Sequence, residues 1–380
     1  MTDKFDAKEL ISKDLPQQAR WYSSLFDLFT RIKKDRVAFL GLVILIAFYF
    51  FCLCADFFAP YNKEFGIRDL TYAPPSKVYI INQKGKLSWP YVYNNVRVFN
   101  KNTFKQEYYE DKSNKYFLHF FVAGDSYKIF GLIPCKLRFF GVKKGGHIFI
   151  LGTDINGRDN FSRLLYGGQV SLTIGFMALF IAFPIGLLYG GLSGYYGGII
   201  DTVMMRIAET LMSIPSFYLL ITLSIILPDD VSSRVRFLLI TIILAFIGWA
   251  GFSRVVRGMV LSIKNLEFIE ASEAMGASSL RTIVRHILPQ TASYVIVAIT
   301  LSVPGYILAE SGLSFLGLGI QQPDASWGNM LKEAQDYTNV IVRPWLLTPG
   351  LLIFIAVLSF NLIGDAVRDI LDPKSKMRHT

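Results

Sequence analysis

Residues 270–290 read EASEAMGASSLRTIVRHILPQ, a polar segment broken by Gly276 and set between two apolar runs. Helical spacing puts Phe268, Ala271, Ser272 and Met275 on one face and Glu267, Glu270 and Glu273 towards another. Gly276 suits the left-handed residue that ends a helix, and Ser278 or Ser279 can cap the next turn. Pro289 is expected to limit the second helix before the next apolar run begins. The small side chains of Ala271 and Ser272 leave room for another protein to come close. The expectation is a helix–glycine–helix handle offered to a partner, although periodicity alone favours the plainer reading of an interfacial loop helix.

Outward from this unit the chain is too apolar for an ordinary soluble domain, with 52% hydrophobic residues among 380. Residues 37–58 carry one charge, Asp56, while 164–200, 210–228, 237–253, 287–309 and 344–364 carry none. These runs predict six spans; the third and fourth lie near the short end of the roughly 17–25 residues a spanning helix needs, and flanking Ile207–Ala208 and Arg254–Val256 can extend them. The fold class expected is an all-α membrane protein of six transmembrane helices, with a β-rich insertion between the first and second. That insertion, 59–150, holds short alternating stretches such as Lys77–Ile81 and Val92–Phe99 and many aromatic residues, which argues for a packed core rather than a loose loop.

The net charge of +10 is distributed as membrane orientation requires, not as a nucleic-acid footprint. Five Lys or Arg lie in 254–290, four from Arg368 onward and eight in the first 36 residues, so both termini are expected to be cytoplasmic. Trp21, Leu25, Leu28, Phe29 and Ile32 share one helical face beside Arg31, Lys33, Lys34 and Arg36, which predicts a helix lying on membrane lipid within the tail 1–36. The first apolar run is expected to stay as an anchor rather than be cleaved. Three cysteines, Cys52, Cys54 and Cys135, offer no disulfide framework.

Ahead of the second run stands Gly152-Thr153-Asp154-Ile155-Asn156-Gly157-Arg158-Asp159. Gly152 and Gly157 permit tight turns, and Asp154, Arg158 and Asp159 can pair and cap at the mouth of a helix. A structural entrance to the span is the favoured reading over contact with a transported molecule. Glu310 is a carboxylate in an apolar run, where burial at mid-bilayer costs about 2.5–3.5 kcal/mol. It reads as a pathway or gate residue, or, more simply, as a snorkelling or salt-bridged group at the interface. The run Leu313-Ser314-Phe315-Leu316-Gly317 after Gly312 is apolar yet glycine-broken, which suits a loop dipping back to plug a pathway and equally a tight hairpin anchored by Phe315 and Leu316. Pro184, Pro215 and Pro304 can each kink a span.

The residues 270–290 resemble the loop by which permeases of ATP-binding-cassette importers couple to their ATPases. The family pattern is Glu-Ala-Ala, three residues, Gly, nine residues, then an apolar residue, any residue and Leu-Pro; here Glu270-Ala271-Ser272 leads to Gly276, His286 and Leu288-Pro289. Ser272 and His286 depart from the general pattern, but Arg285-His286-Ile287-Leu288-Pro289 is itself similar to the peptide-importer branch. The Gly152–Asp159 stretch is similar to the C-type permease of oligopeptide and dipeptide importers, and so are Gly194–Pro215, Leu313–Gly319 and Gly364–Pro373. The insertion is the departure from that family.

The resemblance implies a permease core at 151–373 with its coupling loop at 264–290, a first transmembrane helix at 37–58, a short tail at 374–380, and a place in a bacterial inner membrane. It implies a non-catalytic chain that binds no cofactor, with ATP and Mg held by two cytoplasmic ATP-binding subunits. A homologous permease would complete a heterodimer, and an extracytoplasmic peptide-binding protein would deliver the cargo. The sequence agrees in lacking a phosphate loop; Gly141–Gly146 has the wrong order of glycines and lysines. An ATP-independent channel or secondary carrier would also show many spans and an intramembrane Glu310, but it gives no reason for the coupling spacing. A membrane hydrolase would need a spaced catalytic set that His119, His147 and His286 do not form.

Overall fold

The structure, a computed structural model, describes residues 30–82, 85–101, 105–129, 133–228 and 231–371. Most of the surface helix expected around Trp21–Phe29 lies outside these residues. Helix α1 (Arg36–Leu53) starts at Asp35, whose carboxylate accepts from the Val37 and Ala38 amides. It stops at Cys54, and a separate turn, α2 (Ala55–Phe58), completes the first apolar run. The insertion then forms a four-stranded antiparallel sheet, β1 (Tyr79–Ile81), β2 (Leu87–Asn100), β3 (Lys105–Ile129) and β4 (Ile133–Val142), in sequence order. The long β3 pairs with β2 through its first half and with β4 through its second, with irregularities near Val92 and between Ala123 and Tyr127.

Helix α3 (Asn160–Tyr196) has 37 residues, about 55 Å at 1.5 Å per residue, so it overshoots a hydrocarbon layer of about 30 Å. Gly186, Gly190 and Gly194 recur every fourth residue along it, and a Cβ on any of them would collide with Phe252, Ser253 or Arg257 and Val260. That stripe lets α6 (Ser233–Ile263) lie directly against α3. Between them the third apolar run is not one continuous helix, and at Pro215 it bends more sharply than a kink. It is broken into α4 (Gly198–Ser213) and α5 (Ser216–Ile225), which meet at 81°. Ile214, forced out of helical geometry by the following Pro215, takes φ −85° and ψ 126°.

Five helical stretches are long and apolar enough to span, six if the bent pair counts as one, among the described residues. Short helices α7 (Glu267–Ala274) and α8 (Ser279–Thr282) precede α9 (Ala292–Phe315). Pro289 does not end the helix as expected. A π turn over Ile283–Ile287 and a 3-10 turn over Leu288–Thr291 carry the chain without a break from α8 into α9. The wider turn removes the need for the amide that proline lacks. After α9 come α10 (Trp327–Leu331), α11 (Tyr337–Val342) and α12 (Thr348–Leu371). The core joins Leu172, Ala178 and Phe183 of α3, Ile240 and Leu244 of α6, Val303 and Ile307 of α9, and Ala356 and Phe360 of α12.

Candidate functional site

The polar unit at 267–291 is built as a handle between α6 and α9. Gly276 has φ 82°, the left-handed value that turns the chain from α7 into α8. Ser278 occupies the N-cap position of α8, but its side chain makes no capping bond. Phe268, Ala271 and Met275 lie exposed on one face, Met275 at 83%. Ser272, which spacing put on that face, is buried, as is Ile269. Leu280 and Val284, which spacing had not singled out, extend the exposed apolar surface beyond the glycine. Glu270 and Arg285 are exposed, Pro289 also, while His286 and Leu288 are half-buried.

Beneath the handle, Ile283 and Leu288 pack over Gly191 of α3, where any side chain would crowd them. Tyr195, at the end of α3, donates its hydroxyl to Glu273 Oε1 at 2.6 Å, and Lys264 Nζ reaches Tyr195 O at 3.4 Å. Nearby, Arg257 of α6 binds both carboxylate oxygens of Asp201 in α4, at 2.7 and 2.5 Å, and Ser193 of α3 donates to the same carboxylate. The handle is thus tied to α3, and α3 to α4 and α6. Apart from Ser193–Asp201, these polar ties escaped the sequence because their members stand far apart in the chain.

At the opposite end, the six residues Gly152, Thr153, Asp154, Gly157, Arg158 and Asp159 come together. Asp154 accepts from the Asn156 and Arg158 amides and from Arg158 Nε at 2.7 Å, and Arg163 Nε stands 3.5 Å away. Thr153 takes the Ala73 amide and donates to Leu70 O, while Asp159 caps α3 by accepting the Ser162 amide at 2.8 Å. A Cβ at Gly157 would overlap Ile67 O, so glycine alone fits the close approach of these two strands of chain. Arg158 reaches Gln322 at 2.5 Å, Arg163 reaches Pro323 O, and Lys63 pairs with Asp324. The motif therefore joins the stem of the insertion, the mouth of α3 and the segment after α9. Burial and the Asp154 carboxylate push Glu333, in that segment, up to about 7, and burial lifts Asp159 to about 7.

Glu310 does not snorkel and has no ion pair among the described residues. It is fully buried and accepts from Ser171 Oγ at 2.9 Å and Ser314 Oγ at 2.7 Å, with Ser311 Oγ at 3.4 Å. The stretch from Gly312 is helical, not a loop dipping back. α9 continues to Phe315 and closes with the bonds Gly317 N to Ser314 O and Leu318 N to Leu313 O. Leu313 and Ser314 are buried, Phe315 and Gly317 half-buried, and Leu316 exposed.

An open cleft of about 710 Å³ lies along α6, α9 and α12, lined by Phe183, Phe252, Tyr294, Val297 and, towards the handle, Gln290 and Arg368. Nothing in the spacing of these residues announced it.

Residues 182–377 match the family described as binding-protein-dependent transport system inner membrane component. Residues 23–75 match the N-terminal TM domain of oligopeptide transport permease C. The chain is similar to the dipeptide transport system permease protein DppC of Bacillus subtilis, 44% identical over 59% of this chain and 68% of the relative. It is 42% identical to the oligopeptide transport system permease protein OppC of Haemophilus influenzae over 61% and 72%, respectively. It is also 42% identical to the glutathione transport system permease protein GsiD of Escherichia coli, over 59% and 72%.

Proposed function

Because the chain belongs to the binding-protein-dependent transport system inner membrane components, the non-catalytic permease subunits of ATP-binding-cassette importers, we propose that it moves peptides across a bacterial inner membrane as half of a translocation pathway. A homologous permease supplies the other half, and the cleft along α6, α9 and α12 is this chain's wall of it. Two cytoplasmic subunits bind and hydrolyse ATP with Mg, and an extracytoplasmic binding protein presents the peptide. Both termini are cytoplasmic, which puts the handle on the ATPase side and the insertion outside.

The observation that carries this reading is the exposed apolar face of Phe268, Ala271 and Met275 on a unit whose two ends continue into α6 and α9. A partner gripping that face and turning it tilts both helices together. The Tyr195–Glu273 bond brings α3 into the same movement. Glu270 and Arg285 offer charges at the rim of the contact, and His286, Leu288 and Pro289 shape its rear. Gly152–Asp159 and the Glu310 cluster hold the outer end together, so that motion imposed inside reopens the pathway rather than loosening the bundle.

The test is a cross-link. Ala271→Cys in the full chain, co-expressed with its permease and ATPase partners, is expected to form a bond with a cysteine placed in the ATPase surface groove, at a yield that changes with ATP. Peptide uptake by vesicles in which no ATPase is ever captured at Ala271 or Met275 would end the proposal in favour of an ATP-independent carrier.

A further inference from the structure

The insertion is joined to the end of α1 through aromatic rings. Phe57 and Phe58 of α2 lie 5.8 and 5.5 Å, centroid to centroid, from Phe139 of β4. Phe139 in turn lies 5.7 Å from Phe120 and 6.0 Å from Phe121 of β3. Consecutive residues of a strand project to opposite faces, yet both of these rings meet the same partner. Phe121 has φ 56°, a conformation bulky L-residues rarely adopt, and this turns its ring to the side of Phe120. Despite these contacts Phe120 and Phe121 remain 51% and 60% exposed. Arg138, buried beside them, donates to Ala59 O at 2.7 Å and pins β4 to the chain just past α2.

Height above the membrane follows from α1. Its 18 residues rise about 27 Å, close to the roughly 30 Å of a hydrocarbon layer, so α2 sits at the boundary of that layer. Ile46, Phe50 and Leu53 leave α1 an apolar exposed side that suits lipid, and Phe50 and Phe51 pack on Phe58 at 5.6 and 4.8 Å. Ring contacts therefore run unbroken from the lipid-facing side of α1 to Phe120 and Phe121. Trp89, also exposed, donates its indole N–H to Leu118 O beside them. Among the described side chains, the exposed charges further along the hairpin, Asp125 and Lys136, are of opposite sign, and the aromatic rings are what mark the surface for lipid.

We propose that Phe120 and Phe121 seat in the interfacial layer of the bilayer on the insertion side, so that the β3–β4 hairpin rests on lipid. Aromatic rings favour that layer, where an apolar body meets a polar boundary. Resting there, the hairpin fixes the tilt of the sheet against the membrane and leaves its far edges to face the aqueous side.

The full chain, with Cys52→Ala, Cys54→Ala and Cys135→Ala, is to carry a single Phe121→Cys labelled with the fluorophore NBD in phosphatidylcholine nanodiscs. Phe120→Cys serves as a second probe should position 121 not tolerate replacement, and Ser113→Cys, exposed on the same strand, is the aqueous reference. Emission at 120 or 121 is expected to shift to the blue and to be quenched several-fold more by headgroup-proximal doxyl phosphatidylcholine than by iodide, with the reverse at 113. Iodide quenching at 120 and 121 equal to that at 113 would overturn the proposal. So would shielding from both quenchers, which would mean that protein covers the rings.

Discussion

Glu310 Oε2 accepts the hydroxyl of Ser171 at 2.9 Å, and this bond crosses from α9 to α3 between residues 139 positions apart. Ser171 is itself held by the Trp327 amide and Ser314 by the Ile320 amide, at 3.1 and 3.0 Å. The carboxylate is therefore the common acceptor of two relays that begin on the backbone of the segment after α9. Replacing it with alanine strands two buried hydroxyls, at a cost of about 1–3 kcal/mol for each unsatisfied group. Glu310→Ala should lower the melting temperature in detergent and speed amide exchange at 320–327, while Glu310→Gln, which keeps one acceptor, should do less of both. Exchange at 320–327 unchanged in the alanine variant would contradict the relay.

Tyr195→Phe removes only a hydroxyl, and the 2.6 Å bond it made to Glu273 is near solvent. A loss of about 0.5–1.5 kcal/mol in the tie between α3 and the handle corresponds to a few-fold to roughly ten-fold change. Cross-linking of the ATPase at Ala271 should persist, since the exposed face is untouched, while peptide uptake per ATP hydrolysed should fall. Equal stoichiometry in the variant and the parent would show that α3 moves without this bond.

The handle was legible because its signal is local: acidic first turn, glycine and Leu-Pro fall within one stretch, and Gly276 adopts the left-handed geometry its position asked for. The Asp154–Arg158 pairing was legible for the same reason. Ser272 is buried because what lies beneath the helix decides which side it covers, and the periodicity of eight residues does not record that. The prolines show the same limit. Pro215 breaks its run, whereas Pro184 and Pro304 lie inside continuous helices. The residues before the latter two, Phe183 and Val303, are buried in the core and held helical, while Ile214 is exposed and free to extend. Ser171, which binds Glu310, and Ser193 and Arg257, which bind Asp201, come from other helices, and no single stretch records those bonds.

Gly276→Val tests whether the turn geometry, rather than empty space, is what the handle requires. Nothing lies within 4 Å of a Cβ there, so the side chain itself fits. The positive φ is the obstacle, and a β-branched residue in it costs on the order of 1–3 kcal/mol. Loss of ATPase capture with the bundle still folded is the expected result; Gly276→Asn, which tolerates left-handed geometry, should recover much of it. Full capture by the valine variant would remove the turn from the argument.

Glu333 gives a pH dependence whose sign can be worked out. In the folded chain burial and Asp154 raise its carboxyl from 4.5 to about 7, opposed by Arg163 and Arg158 and by the Ile155 amide. A carboxyl raised on folding binds its proton more tightly in the native state, so it adds no penalty below about 4.5, where both states are protonated. Stability is then lost as pH rises through the window up to about 7, and the full penalty remains above it. The melting temperature of the parent should therefore fall relative to Glu333→Gln between pH 4.5 and 7 and run parallel to it on either side. Comparing the two proteins cancels the groups that do not interact with Glu333, Asp159 among them. A constant difference across the window would mean that Glu333 keeps its ordinary affinity for the proton and that the ionic cluster at the mouth of α3 is wetter than its packing implies.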